Sequence, residues 1–138
     1  MKSSDAVFVD TGAWIALALT RDPLHDRAKD SWTRLTHAGA RIHTSIPVVL
    51  ETFTFLDRNA VRDVALAWKD SLETLKRFRV LPCSARDVTE AWKYFARPDL
   101  HKLSAVDATS FVLMTRATIR WAFTFDHHFA AVGFRIVA

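Results

Sequence analysis

The feature that most restricts the fold of this chain is Ala6-Val7-Phe8-Val9, four consecutive apolar residues stopped abruptly by Asp10-Thr11-Gly12. An unbroken apolar run, without polar alternation, describes a strand covered on both faces, and such strands belong to parallel sheets joined by helical crossovers. Trp121-Ala122-Phe123-Thr124-Phe125 repeats the pattern and again ends at a carboxylate, Asp126. Arg41-Ile42-His43-Thr44, Val80-Leu81-Pro82-Cys83 and Phe134-Arg135-Ile136-Val137 read as further short strands, with Pro82 placing its strand at an edge or at its end.

Helical periods fill the intervals. One helix runs from Thr11 towards the break at Asp22-Pro23, and a second carries Leu24, Ala28, Trp32 and Leu35 inward and stops near Gly39. Pro47 opens a third, with Val48, Phe55 and Leu56 on its apolar side. A long helix is expected over 59–78, with Val61, Val64, Ala65, Trp68, Leu72 and Leu75 inward. Another is expected over 84–97, with Val88, Trp92 and Phe95 inward. Ser104 opens the last, with Asp107 at capping-box spacing and Phe111, Leu113 or Met114, and Ala117 along the core. Strands alternating with helices predict an α/β fold, a single domain over 1–138.

Composition narrows the function. Half of the 138 residues are apolar and only three are Gly, so the chain can bury a core without staples. Its single cysteine, Cys83, excludes an internal disulfide and a cysteine-rich zinc site. No apolar run is long enough for a membrane span or a signal-peptide core, which predicts a cytoplasmic protein. A net charge of +4 tolerates an anionic partner without requiring one.

Four carboxylates occupy positions where the pattern predicts burial or a sheet rim. Asp10 and Asp126 follow buried strands, and the carboxyl ends of parallel strands line the crevice where ligands bind. Glu51 lies between Val48 and Phe55 on the apolar side of its helix, with no local cation to offset it. Asp107 lies in a first helical turn, where the macrodipole favours its charge. Read singly, each has a simpler role: Asp107 as a capping acid, Asp10 or Asp126 as a turn former, Glu51 as half of a buried ion pair. Read together, converging acids repel one another unless a cation sits among them, and oxygen ligands without Cys or paired His indicate Mg²⁺ or Mn²⁺.

These segments resemble the four motifs of the PIN-domain family, in particular VapC-type toxins of toxin–antitoxin pairs. Val7-Phe8-Val9-Asp10-Thr11 resembles the first, Ser45-Ile46-Pro47-Val48-Val49-Leu50-Glu51 the second, Leu103-Ser104-Ala105-Val106-Asp107 the third, and Thr124-Phe125-Asp126-His127-His128-Phe129 the fourth. The resemblance implies a three-layer α/β/α domain with a mainly parallel sheet of about five strands. It also implies an acidic set of Asp10, Glu51, Asp107 and Asp126 that binds Mg²⁺ or Mn²⁺, with Thr11 and Thr124 as supporting hydroxyls. The activity it implies is that of an endoribonuclease, with a small inhibitory antitoxin and a homodimer as its associations.

Candidate RNA contacts, chosen for closeness in sequence to the acids, are Arg21, Arg58, Lys102 and Arg116. His127 and His128 read as surface or RNA-contact residues, because adjacent histidines cannot share a helix face as an i, i+4 metal pair does. Trp14, Trp32, Trp68, Trp92 and Trp121 fall on apolar phases and read as core. Two other readings compete: a PIN-like scaffold that binds RNA or protein without cutting, and a Mg²⁺-dependent phosphatase. The phosphatase is disfavoured by Gly12, which stands where an acid would be wanted two residues after Asp10.

Overall fold

A computed structural model describes residues 5–138. Five strands, β1 (Ala6–Val9), β2 (Arg41–Ser45), β3 (Phe78–Leu81), β4 (Trp121–Phe123) and β5 (Arg135–Val137), form one sheet in the order β3-β2-β1-β4-β5. Every pairing is parallel. The chain moves outward from β1 through β2 to β3, then returns to the other side of β1 for β4 and β5. Right-handed crossovers therefore place α1 (Thr11–Ala18), α2 (His25–His37), α3 (Ile46–Asn59) and α4 (Arg62–Leu72) on one face. The same rule places α5 (Ala85–Ala91), α6 (Ala105–Arg116) and α7 (His128–Ala131) on the other. The reversal between β1 and β4 opens a crevice at their carboxyl ends.

The central strands are buried as their composition requires: Val7, Phe8, Val9, Ala122 and Phe123 are fully enclosed. On one face, Trp14 packs against Trp32, Trp68 and Phe78, with ring centroids 5.7–6.2 Å apart. On the other, Phe111 meets Tyr94, Phe129 and Phe134. Trp14 is also fixed by its polar edge. Its Nε1 donates to Thr44 Oγ1 at 3.1 Å, and that hydroxyl donates to the Val9 carbonyl at 3.0 Å.

Several expectations need correction. The long helix expected over 59–78 begins only at Arg62 and ends at Leu72, and Val61, expected inside, is 60% exposed. β3 lies two residues earlier than expected, because pairing of Ile42 with Phe78 sets its register and seats Phe78 against Trp14. The helix expected over 84–97 ends at Ala91 and tightens into a 3-10 turn, Trp92–Ala96. Three residues per turn shift the inward phase to Tyr94. Trp92 and Phe95 consequently face solvent, at 54% and 48% exposure. Phe55 and Ala117 are also exposed rather than packed inside.

Candidate active site

The site is assembled from four local structures, each with its own physical cause. Asp10 terminates β1 and caps α1; its N–H donates to the Phe123 carbonyl at 3.0 Å, so β1 and β4 stay paired up to the crevice. Thr124 Oγ1 donates to Asp10 Oδ2 at 3.0 Å and accepts from the Asp126 N–H at the same distance. One buried threonine thus ties the two strand-terminal acids together. Asp10 Oδ1 and the hydroxyl of Thr11 are buried without a hydrogen-bond partner.

Asp107 stands in the first turn of α6, where its N–H donates to the Ser104 hydroxyl at 3.0 Å. Its carboxyl group turns away from the cap towards the other acids. Glu51 is half-buried on α3, and its expected alternative role in a buried ion pair is not realised with any described residue.

Electrostatic interactions link the four acids at this end of the sheet. Burial pushes Asp107 up to about 9, helped by Asp10, by Asp126 and by Glu51, and the protonated group donates a hydrogen bond to Asp126. Burial likewise raises Asp10 to about 7, with Asp126 and Glu51 adding to it against the opposing bonds from Thr11 and Thr124. Asp126 moves the other way. Burial would raise it, but donors from Asp107 and His128 outweigh that and hold it below the usual carboxylate range. Such a cluster cannot ionise fully on its own, which is the condition a bound cation relieves. The donor set fits a hard divalent ion: carboxylate oxygens, one of them buried and unpartnered, and no thiolate.

His128 departs from the surface role expected for it. It is buried, its backbone N–H donates to Asp126 Oδ1 at 2.9 Å, and its ring is fixed through Nε2 while Nδ1 faces the same carboxylate at ion-pair distance. Nε2 lies 2.6 Å from the His101 carbonyl and Nδ1 lies 2.8 Å from Asp126 Oδ1. Burial alone would lower the ring's pKa; the carboxylate and carbonyl facing it raise it above the ordinary histidine value. His127, by contrast, is exposed. Asp126, His127 and His128 bring ligand atoms within 4.8 Å of one another, a grouping able to hold an ion at this corner.

Of the basic candidates, Arg58 lines a recess of about 590 Å³ with Glu51, Pro47 and Val106, beside the acids. Lys102 is exposed in the turn before α6, in the left-handed region at φ 58°. Arg21 lines a separate recess with Asn59 and Val64. Arg116 belongs elsewhere: it stands at the far end of α6 from Asp107 and pairs with buried Asp87.

A parallel sheet carrying acids from four separate segments at its switch point is the arrangement of the PIN domain, and the chain matches that family over residues 7–135. The chain belongs to the PIN-domain family. It is 35% identical over 128 residues, 93% of this chain and 95% of its relative, to the 23S rRNA-specific endonuclease VapC20 of Mycobacterium tuberculosis. The crystal structure of that protein, described as a Sarcin-Ricin loop cleaving toxin, matches with a TM-score of 0.82 at 34% identity, covering 94% of this chain and 96% of the other. FitAcB from Neisseria gonorrhoeae shares the fold at 15% identity, with a TM-score of 0.69 and 96% of each chain covered. The fold and the family resemblance expected from the four motifs are borne out.

Proposed function

We propose that this protein is an endoribonuclease of the VapC type, hydrolysing an RNA phosphodiester with Mg²⁺ or Mn²⁺, its 138 residues acting as one domain. The observation that carries this reading is the coupled acid cluster with its buried, unpartnered Asp10 oxygen. The 35% identity to a ribosomal-RNA endonuclease supports a structured RNA as the substrate class.

Asp10 and Asp107 would hold the ion directly, with Asp126 and Glu51 completing the set. When bound, the cation supplies charge neutralisation for the phosphodiester and acidifies water. The chain's own residues do the rest. Thr124 fixes Asp10 by accepting from Asp126 and donating to Asp10, so the two carboxylates keep one separation. His128 holds Asp126 in place. Asp107 gives up its proton as the site acquires positive charge, and half-buried Glu51 at the rim orients a water for attack. Water would then form the new P–O bond as the bond to the leaving oxygen breaks, giving a proton to solvent while the leaving oxygen takes one up.

Cleavage of a pool of fluorescent single-stranded and hairpin RNAs, with Mn²⁺ or Mg²⁺ and with EDTA, tests this reading directly. Metal-dependent cutting that Asp107→Asn lacks is the expected result. RNA binding with neither cutting nor Mn²⁺ binding would favour the scaffold instead. Phosphate trapped covalently on Asp10 would favour the phosphatase.

The associations belong to the same proposal: a small antitoxin and a homodimer, in the cytoplasm. An apolar recess of about 720 Å³ between α1, α2 and α4, lined by Trp14, Leu17, Trp32, Val64, Trp68 and Leu75, would accept an antitoxin segment. No helix among the described residues is long and apolar enough to cross a membrane. Sizing of the purified chain, alone and co-expressed with any small protein encoded beside it, tests both associations.

A further inference from the structure

The amino ends of the strands form the opposite pole, and its chemistry is the reverse of the acid rim. Arg41 opens β2, Arg77 immediately precedes β3, Arg120 immediately precedes β4, and Arg135 opens β5. Backbone bonds hold this row in register. Arg41 N–H donates to the Asp5 carbonyl at 3.0 Å, Ile42 N–H to that of Arg77 at 2.9 Å, and Arg135 N–H to that of Arg120 at 2.8 Å. With neighbouring strands about 4.8 Å apart, the row extends roughly 19 Å across the sheet.

All four arginines are exposed. Between them Asp5, Arg41, Thr118, Arg120, Trp121 and Arg135 line a recess of about 460 Å³. The guanidinium of Arg135 lies 5.6 Å from the centroid of the Trp121 ring, which orients it without neutralising it. Asp5 and Arg41 have interactions of their own. Among the described residues, no carboxylate lies within ion-pair distance of Arg77, Arg120 or Arg135.

The turns feeding this pole add an independent observation. Each passes through a left-handed residue: Gly39 before β2, Arg77 before β3, Thr118 before β4 and Gly133 before β5. Glycine takes that conformation without strain, whereas a β-branched threonine does not. Thr118, which lines the recess, holds φ 57° against its own backbone preference.

Guanidinium forks match phosphate oxygens in pairs, and arginine interleaved with an aromatic ring suits a nucleic-acid strand. A flat bilayer cannot enter a recess, and an acidic peptide is the alternative that the competition experiment below separates. We propose that the arginine rim is a second RNA-contact surface, holding the phosphate backbone of a folded RNA remote from the cleaved bond. This rests on the ribonuclease reading and deepens it: the acid rim cuts, and the arginine rim selects RNAs large enough to reach around the sheet.

The test compares the full chain with an Arg77→Gln, Arg120→Gln, Arg135→Gln triple variant. Affinity for a hairpin RNA that spans both poles is measured by fluorescence anisotropy in EDTA over a series of KCl concentrations. The variant should bind about tenfold more weakly at low salt, and the slope of log affinity against log salt should fall by about 2 to 3, since each lost phosphate contact removes about 0.7 on a single strand and about 0.9 on a duplex. Mn²⁺-dependent cleavage of a minimal hairpin too short to reach from the acid rim to the arginine rim should be unchanged.

Equal affinity and slope for the folded variant would overturn the proposal. So would competition by polyglutamate as strong as that by RNA, which would assign the rim to an acidic protein. Arg120→Gln alone, with an expected slope change of about 0.7 to 0.9, serves if the triple variant fails to fold. Absence of cleavage by the wild type, with the rim-dependent binding intact, would remove the ribonuclease reading and leave the RNA surface supported.

Discussion

α5 and α6 begin with the same four-residue pattern, Ser-x-x-Asp, yet the two aspartates end in opposite states. At Ser84 the capping box closes. The Ser84 hydroxyl accepts from the Asp87 N–H at 3.2 Å, and an Asp87 carboxylate oxygen accepts from the Ser84 N–H at 2.9 Å. Its other oxygen pairs with Arg116. Burial would raise Asp87, but Ser84 and Arg116 together hold it below the usual carboxylate range. At Ser104 only half of the box forms. The hydroxyl caps Asp107 N–H, while the Asp107 carboxyl joins the acid cluster and is pushed up to about 9. One acid is satisfied by its surroundings; the other is left for something to satisfy. Two identical local signals thus separate into a structural brace and a functional group according to what faces them.

The largest expected effect comes from Asp107→Asn. It should lower metal-dependent RNA cleavage by about 10³-fold or more, because it removes a charge that the reacting state needs. It should also raise the unfolding midpoint of the metal-free protein at neutral pH, since the amide donates to Asp126 without a proton having to be taken up on folding. Full activity of the folded variant would sink the active-site assignment.

The pH dependence of stability, measured by urea unfolding in EDTA, should separate the two acids next. Asp10 and Asp107 hold protons in the native state that the unfolded chain has released, so stability falls as pH rises from about 4 through about 7 and on towards 9. The slope is at most about 1.4 kcal/mol per pH unit for each group. Mn²⁺ should flatten it, and Asp107→Asn should reduce it. Asp87 behaves in the opposite sense: its contribution is complete above the ordinary carboxylate range and is lost as pH falls through its depressed value.

Asp87→Asn should cost about 1–2 kcal/mol of stability through the lost bond to Arg116 and a weakened capping box, with cleavage nearly unchanged. Denaturant midpoints and single-turnover rates check both halves. The smallest effect is expected at the caps themselves. Ser84→Ala and Ser104→Ala should each cost about 1 kcal/mol, because the N-cap bond is the same in both helices. A much larger loss at Ser104 would mean that the hydroxyl also positions the acid cluster.

Much of the site was legible because strand and helix termini leave local marks. Asp10 and Asp126 stand directly after buried apolar runs, and Pro47 and Ser104 announce the helices that carry Glu51 and Asp107. His128 was missed because its role depends on the carbonyl of His101, twenty-seven residues away. Arg116 was misplaced because closeness in sequence to Asp107 says nothing about which end of a twelve-residue helix faces the crevice.

The sequence by itself determined the alternation of strands and helices, the two-sided burial of β1 and β4 and the residues available to bind a cation, since all of these follow from local patterning. The tertiary structure alone decided which acids meet, which serine box closes, and that arginines from four strand starts share one pole. Those outcomes depend on strand order and parallel register, which bring distant residues to a common edge of the sheet.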